Sequence, residues 1–90
     1  MEQRIKAGDI VKHFKRELMA EASDMKDNLS YLYEVISIDG LDTETQARVV
    51  IYRALYGERR FFVRPYDDFM GETDHKKYPQ ANQKYRFERV

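Results

Sequence analysis

Ninety residues with equal numbers of basic and acidic side chains make a small domain of zero formal net charge, which weighs against a general nucleic-acid binder, since those proteins usually carry a basic excess. The chain has no cysteine, which excludes a disulfide framework and a thiolate metal site. No apolar run approaches the roughly 20 residues that span a bilayer, and the first residues lack the apolar stretch of a signal peptide. We therefore expect one cytoplasmic domain over 1–90.

The first third of the chain predicts a flexible start, a strand and a helix. Residues 1–7 are expected to be flexible, and a Gly-Asp turn signal precedes a short strand over 10–14. Four apolar side chains then recur at helical spacing: Leu18, Ala22, Met25 and Leu29. This stripe predicts an inserted helix near 16–29, with a long ordered loop as the alternative.

The rest of the chain reads mainly as strands. A nearly continuous apolar run predicts a strand over 31–38, and a hairpin follows over 49–65. A short helical turn is expected over 66–70 and a closing strand over 85–90. About five short strands in so small a chain predict a mostly-β domain, either a small SH3-like barrel or a strongly bent antiparallel sheet.

The hairpin Val49–Pro65 consists of two β-rich runs joined across Gly57. A two-residue loop would collect five apolar or aromatic side chains on one face: Val50, Tyr52, Ala54, Phe61 and Val63. A three-residue loop would mix both faces, and a four-residue loop would set Arg53 opposite Arg64, a like-charge pair. We therefore favour the two-residue loop, in which glycine suits the first position of a type II′ turn.

Several short motifs occur in a familiar order: His13-Phe14-Lys15, Tyr33-Glu34-Val35, Glu44-Thr45, Tyr52-Arg53-Ala54-Leu55-Tyr56-Gly57, Val63-Arg64-Pro65 with Phe69, and Arg86-Phe87. In this order and spacing the chain resembles a bacterial family known only as domain of unknown function 1653. It departs from the family pattern at the insertion near 16–29, and at Phe62, where the family often has Trp. The resemblance implies a mostly-β single domain and carries no known activity.

Candidate chemistry is sparse. Two histidines far apart, with no cysteine, argue against a metal site. His13 follows a strand pattern and suits a hydrogen-bonded structural role. Arg64, which the predicted register places beside Arg53 and Phe62, could hold an anion or stack on a nucleobase or a peptide side chain. The alternative is that Arg64 pairs internally with an acidic residue such as Glu34 or Glu44.

The first functional hypothesis is a non-enzymatic binding module that uses the rim of the β domain. Its candidate ligand-binding residues are His13, Glu44, Thr45, Tyr52, Arg53, Phe62 and Arg64. The expected partner is a protein or peptide segment, or a nucleic acid held by a local basic and aromatic patch. The second hypothesis is a small enzyme or anion sensor with His13 or Glu44 as acid–base group and Arg64 as anion clamp. The third is a structural subunit that exposes an apolar face. No cofactor, metal or membrane contact is expected.

Overall fold

The computed structural model of the protein describes residues 4–21 and 29–90. Five strands and two short helices follow one another in these residues: β1 (Ile10–His13), α1 (Lys15–Glu21), β2 (Leu32–Leu41), β3 (Arg48–Ala54), β4 (Phe61–Pro65), α2 (Tyr66–Met70) and β5 (Phe87–Arg89). The strands form one antiparallel sheet in the order β4-β3-β2-β1-β5. The mostly-β prediction is confirmed. The sheet is open, with β4 and β5 at its edges, and is not the barrel offered as one alternative.

The longest strand, β2, is interrupted twice. Its pairing with β3 shifts register between Val35 and Ser37 and again between Ser37 and Gly40. Such bulges bend a strand and increase its twist. Gly40 lies opposite Val49, and a Cβ there would approach the Val49 Cγ2 atom to 2.9 Å. A side chain at position 40 would therefore have to displace that of Val49.

The core lies on one side of the sheet, which we call the inner face. The register brings alternate side chains of the strands together there, and most are buried: Val11, Tyr33, Val35, Val50, Tyr52, Ala54 and Phe87. Helix α2 covers this face with Phe69, whose ring stacks on that of Phe87 at a centroid distance of 4.1 Å. Ile5 is also buried in this core, so the start of the chain, expected to be flexible, supplies a core residue.

The β3–β4 hairpin has a different register from the predicted one. Tyr52 lies opposite Phe62, whereas the two-residue loop would have paired it with Val63. The loop is longer than predicted and passes through left-handed backbone at Gly57 (φ 60°) and Arg59 (φ 55°). A shift of one residue exchanges the two faces for every side chain of β4.

This exchange places Arg64 on the inner face and turns Phe61 and Val63 outward, where each is 63% exposed. The prediction was wrong because it required one face to be wholly apolar. Arg64 is accommodated on the inner face because its polar atoms have partners there. Its Nε donates to the Tyr52 hydroxyl at 3.3 Å, and its Nη1 donates to the Asp68 carboxylate at 2.9 Å.

The predicted helix near 16–29 begins where expected, as α1. Residues 22–28, which include half of the predicted apolar stripe, lie outside the described part of the chain. Leu29 lies in a turn, and its C=O accepts the N–H of Leu32 at 3.0 Å. The predicted helical turn over 66–70 is confirmed as α2. No helix among the described residues has the length and apolarity needed to cross a membrane.

Candidate functional site

A cleft of about 250 Å³ lies where β1, β4 and the segment between α2 and β5 meet. We call it the basic cleft. Its walls include four cations, the neutral ring of His13 and one tyrosine: Lys15, Arg64, Lys77, Arg86, His13 and Tyr78. Two positions from distant parts of the sequence, His13 and Arg64, were predicted to belong to one site. The fold brings both of them to this cleft.

His13 is the last residue of β1, and its ring meets that of Phe87 edge-on at 5.0 Å. Nδ1 accepts the backbone N–H of Lys15 at 3.1 Å, so the proton of the neutral ring is on Nε2. Burial, together with the positive charges of Arg64, Lys15 and Arg86, lowers the pKa of His13 to about 4. His13 is therefore neutral at pH 7. Within the described residues, its Nε2–H has no acceptor.

Two arginines are held side by side by one carboxylate of α2. Asp68 accepts from Arg64 Nη1 at 2.9 Å through one oxygen and from Arg86 Nη1 at 2.5 Å through the other. The Arg64 guanidinium also lies 5.5 Å from the centre of the Phe87 ring. Burial alone would lower the pKa of Arg64, but hydrogen bonds to Tyr52 and Asp68 outweigh it and raise that pKa. Arg64 thus stays charged although it is half-buried.

Two lysines gather around one aromatic ring of the cleft. The Nζ atoms of Lys15 and Lys77 lie 5.9 Å and 5.6 Å from the centre of the Tyr78 ring. Tyr78 packs against the buried Phe14 at a centroid distance of 4.8 Å. Cation–π contacts of this kind favour ammonium groups close to the ring. Asp74, also on the wall, accepts the N–H of Lys77 at 3.2 Å and fixes the loop there.

The cleft carries an excess of positive charge. Its four cations face two carboxylates, Asp74 on the wall and Asp68 behind the arginines. One of these carboxylates is shared between two guanidiniums. A partly enclosed site with such an excess attracts an anion more strongly than the same charges would on an open surface.

The loop that forms one wall of the cleft is tied to helix α1. The Glu17 carboxylate accepts the backbone N–H of Asn82 at 2.8 Å and that of Gln83 at 3.2 Å. The buried Gln83 amide in turn donates to the C=O of Lys12 at 3.0 Å. Hydrogen bonds to a charged acceptor are stronger than neutral ones. Helix α1 therefore supports the loop that carries Lys77.

Other predicted site residues lie near the cleft or away from it. Tyr52 is buried beneath Arg64 and supports it through its hydroxyl. Phe62 is 41% exposed and stacks on Tyr52 at 5.7 Å. Arg53 lies on the outer face, where its Nε donates to the C=O of Arg59. The predicted grouping of Arg53 with Arg64 on one face is therefore wrong, for the same reason as the hairpin register.

Glu44 and Thr45 lie in the exposed loop between β2 and β3. The N–H groups of both donate to one carboxylate oxygen of Asp42, at 2.9 Å and 3.2 Å. This arrangement is typical of an aspartate that shapes a turn. Neither residue lines the basic cleft, so the structure does not place Glu44 beside the cleft residues His13 and Arg64.

Among the residues of the cleft, the sequence reasoning missed three cations and the tyrosine. Lys15 and Arg86 stand inside motifs that carried the family resemblance. Lys77 and Tyr78 belong to an irregular segment with no periodic pattern. Tyr78 packs on Phe14, next to the end of β1, and Gln83 farther along the segment donates to the Lys12 C=O within β1. Local sequence gives no signal of these contacts.

The fold and the cleft define a class of protein: a small open antiparallel sheet with a basic cleft at its inner face. The chain belongs to the family described as Protein of unknown function (DUF1653), whose model matches residues 9–89. This confirms the resemblance drawn from the motifs. No curated protein and no solved structure matches the chain. The matched region contains every residue named above as part of the basic cleft.

Proposed function

We propose that the domain is a non-enzymatic binding module whose basic cleft captures a phosphate group of a soluble ligand. The observation that supports the proposal is the convergence of Lys15, Arg64, Lys77 and Arg86 on one cleft of about 250 Å³. Guanidinium and ammonium groups are the usual ligands of phosphate in proteins.

Phosphate fits the arrangement better than a carboxylate does. A carboxylate offers two oxygens and one charge, and Asp68 already supplies such a group to the two arginines. A phosphate monoester offers three acceptor oxygens and a charge of about −1.5 to −2 at neutral pH. It can therefore accept from more donors of the cleft at once than a carboxylate can. The Nε2–H of His13 adds an uncharged donor to this set.

The geometry favours a binding module over the second hypothesis, a small enzyme that would use His13, Glu44 and Arg64. Glu44 does not line the cleft. With a pKa near 4, His13 is a weak base at pH 7. An efficient general base has a pKa closer to the working pH. These features suit a group that donates a hydrogen bond to a bound anion.

The test compares two neighbouring lysines. Lys77 lines the cleft, Lys76 does not, and both are exposed, so replacing either should leave the fold intact. Isotope-labelled protein is titrated with inorganic phosphate at constant ionic strength while amide NMR signals are followed. Signals of Lys15 and Tyr78 should shift, and Lys77→Gln should weaken phosphate binding about fivefold. Lys76→Gln should bind phosphate like the unmodified protein.

Three results would contradict the proposal. Equal weakening by Lys76→Gln and Lys77→Gln would indicate general surface charge instead of a cleft. Absence of shifts at the cleft with millimolar phosphate would remove the site. A short single-stranded oligonucleotide that shifts the Phe62 region, with no phosphate shifts at the cleft, would favour the nucleic-acid hypothesis.

A further inference from the structure

Within the described residues, the outer edge of the sheet at β4 has backbone groups with no hydrogen-bond partner. The N–H of Ala54 donates to the C=O of Arg60 at 3.0 Å, which fixes the phase of the β3–β4 ladder. In an antiparallel ladder, alternate residues point toward and away from the partner strand. The backbone groups of Phe61 and Val63 therefore point away from β3. Pro65 has no N–H and ends this row of donors.

The side chains beside these groups are apolar and exposed. Phe61 and Val63 are each 63% exposed. Val63 lies opposite Ile51 on the outer face, and Ile36, the residue at the nearby bulge, is 40% exposed. We call Phe61, Val63 and their outward backbone groups the β4 edge. An exposed edge strand with apolar side chains is a template for pairing with another strand.

The charges around the β4 edge select the partner. Arg59 and Arg60 precede the strand and are exposed, and the Arg53 guanidinium lies 5.4 Å from the Phe61 ring. The tip of this hairpin also carries one acid, Glu58. Glu34 lies opposite Arg53 on the outer face. Three arginines against these two glutamates leave the edge with one net positive charge, although the whole chain is neutral.

A second copy of the chain fits this edge poorly. The two-fold pairing that uses both outward residues places Phe61 of one copy opposite Val63 of the other. That register centres on Phe62 and sets Arg60 of each copy opposite Arg64 of its partner. Like charges directly opposite each other destabilise a strand pair. The arginines therefore oppose self-pairing and favour a strand of opposite charge.

We infer that the β4 edge docks an extended acidic peptide segment by strand addition. In the added strand, acidic side chains alternate with small apolar ones. The backbone of the added strand pairs with that of Phe61 and Val63. Its apolar side chains lie beside the Phe61 and Val63 side chains on the outer face. Its acidic side chains lie on the inner face, beside Arg60. Main-chain hydrogen bonds supply affinity in this binding mode, and alternate side chains supply specificity. The site adjoins the basic cleft at Arg64, which belongs to β4 and also lines the cleft. The two proposals are distinguished by Lys77→Gln, which changes the cleft and leaves the β4 edge as it is.

The probe is a short peptide in which glutamate and valine alternate, with a lysine–valine peptide as its charge-reversed control. In amide NMR titrations the acidic peptide should shift the signals of Phe61 and Val63, and the basic one should not. Val63→Pro removes an outward donor without breaking the β3–β4 ladder and should abolish binding, whereas Val63→Thr keeps the N–H and should bind. Arg60→Glu should weaken binding of the acidic peptide about tenfold.

The result is decisive in either direction. Shifts at the β4 edge that disappear in Val63→Pro and persist in Lys77→Gln support docking independent of the basic cleft. Equal shifts with both peptides, or none with the acidic one, overturn the inference. Concentration-dependent dimers that Val63→Pro dissociates would show a second copy as the occupant and would also overturn it. If Val63→Pro fails to fold, Arg60→Glu decides alone, and unchanged affinity in that variant contradicts the proposal.

Discussion

Lowering the pH should destabilise the folded domain through His13. Burial, with help from neighbouring cations, holds its pKa near 4 in the folded state, against 6.5 for an unperturbed histidine. Between these values the unfolded chain binds a proton that the folded chain excludes. The free energy of unfolding therefore rises with pH across this window and falls as the solution is acidified. The full difference is worth about 3 kcal/mol, a large part of the stability of a small domain.

Urea unfolding at pH 7, 6 and 5 measures this effect. Carboxylates also respond to acid, so the informative quantity is the difference between the unmodified protein and His13→Gln. Above pH 7 the two should differ by a constant amount. Below pH 6 the unmodified protein should lose stability relative to the variant by up to about 1.4 kcal/mol for each pH unit. His75→Gln, which removes the exposed histidine, should keep the slope of the unmodified protein.

Parallel pH profiles for the unmodified protein and His13→Gln would refute this reasoning. An NMR titration of the His13 ring with a midpoint near 6.5 would refute it directly. Phosphate supplies a further check on the basic cleft. A bound anion stabilises the protonated imidazolium, so saturating phosphate should raise the pKa of His13. If phosphate does not change that midpoint, His13 is not part of the proposed anion site. The explanation of its low pKa by burial would still hold.

Three further predictions concern stability. The buried Thr73 hydroxyl has no hydrogen-bond partner among the described residues, so Thr73→Val should raise the free energy of unfolding by about 1 kcal/mol, whereas Thr73→Ser, which keeps the hydroxyl, should lower it. Glu17→Gln should cost about 1 kcal/mol and speed hydrogen exchange at the Asn82 amide. Val63→Asp should cost less than about 1 kcal/mol, because Val63 is exposed, whereas Val50→Asp, at a fully buried site, should prevent folding. Equal losses for the last pair in urea melts would contradict the hairpin register.

Much of the fold could be predicted because most of its strands and helices have a recognisable local sequence pattern. The apolar run that became β2 and the helical turn after Pro65 needed no distant information. The closure of the sheet could not be predicted, since it depends on whether β4 meets β5 in space. Two bulges in β2 set the curvature, and the sequence around Gly40 indicates only a turn. A glycine packed against side chains of the next strand looks the same in sequence as one required for a bend.

The candidate site was predictable only in part. His13 and Arg64 could be predicted because each lies in a recognisable motif and has a side chain suited to acid–base chemistry or anion binding. Lys77 did not, because a lysine in an irregular polar segment is usually solvated. Glu44 was grouped with His13 and Arg64 because a carboxylate beside turn residues suits both acid–base chemistry and turn formation, and it does not line the basic cleft. The hydrogen bonds from the Glu44 and Thr45 amides to Asp42 show that this loop serves turn formation.

Arg64 links the failed register prediction to the cleft. A strand face that packs on a core is expected to be apolar, and by that rule Arg64 belongs outside. It lies on the inner face because the Tyr52 hydroxyl and Asp68 accept from it there. These hydrogen bonds outweigh the burial of Arg64 and keep it charged, so an arginine occupies a position that the apolar rule would assign to Val63. The same register brings its guanidinium to the wall of the basic cleft, where the proposed phosphate would bind.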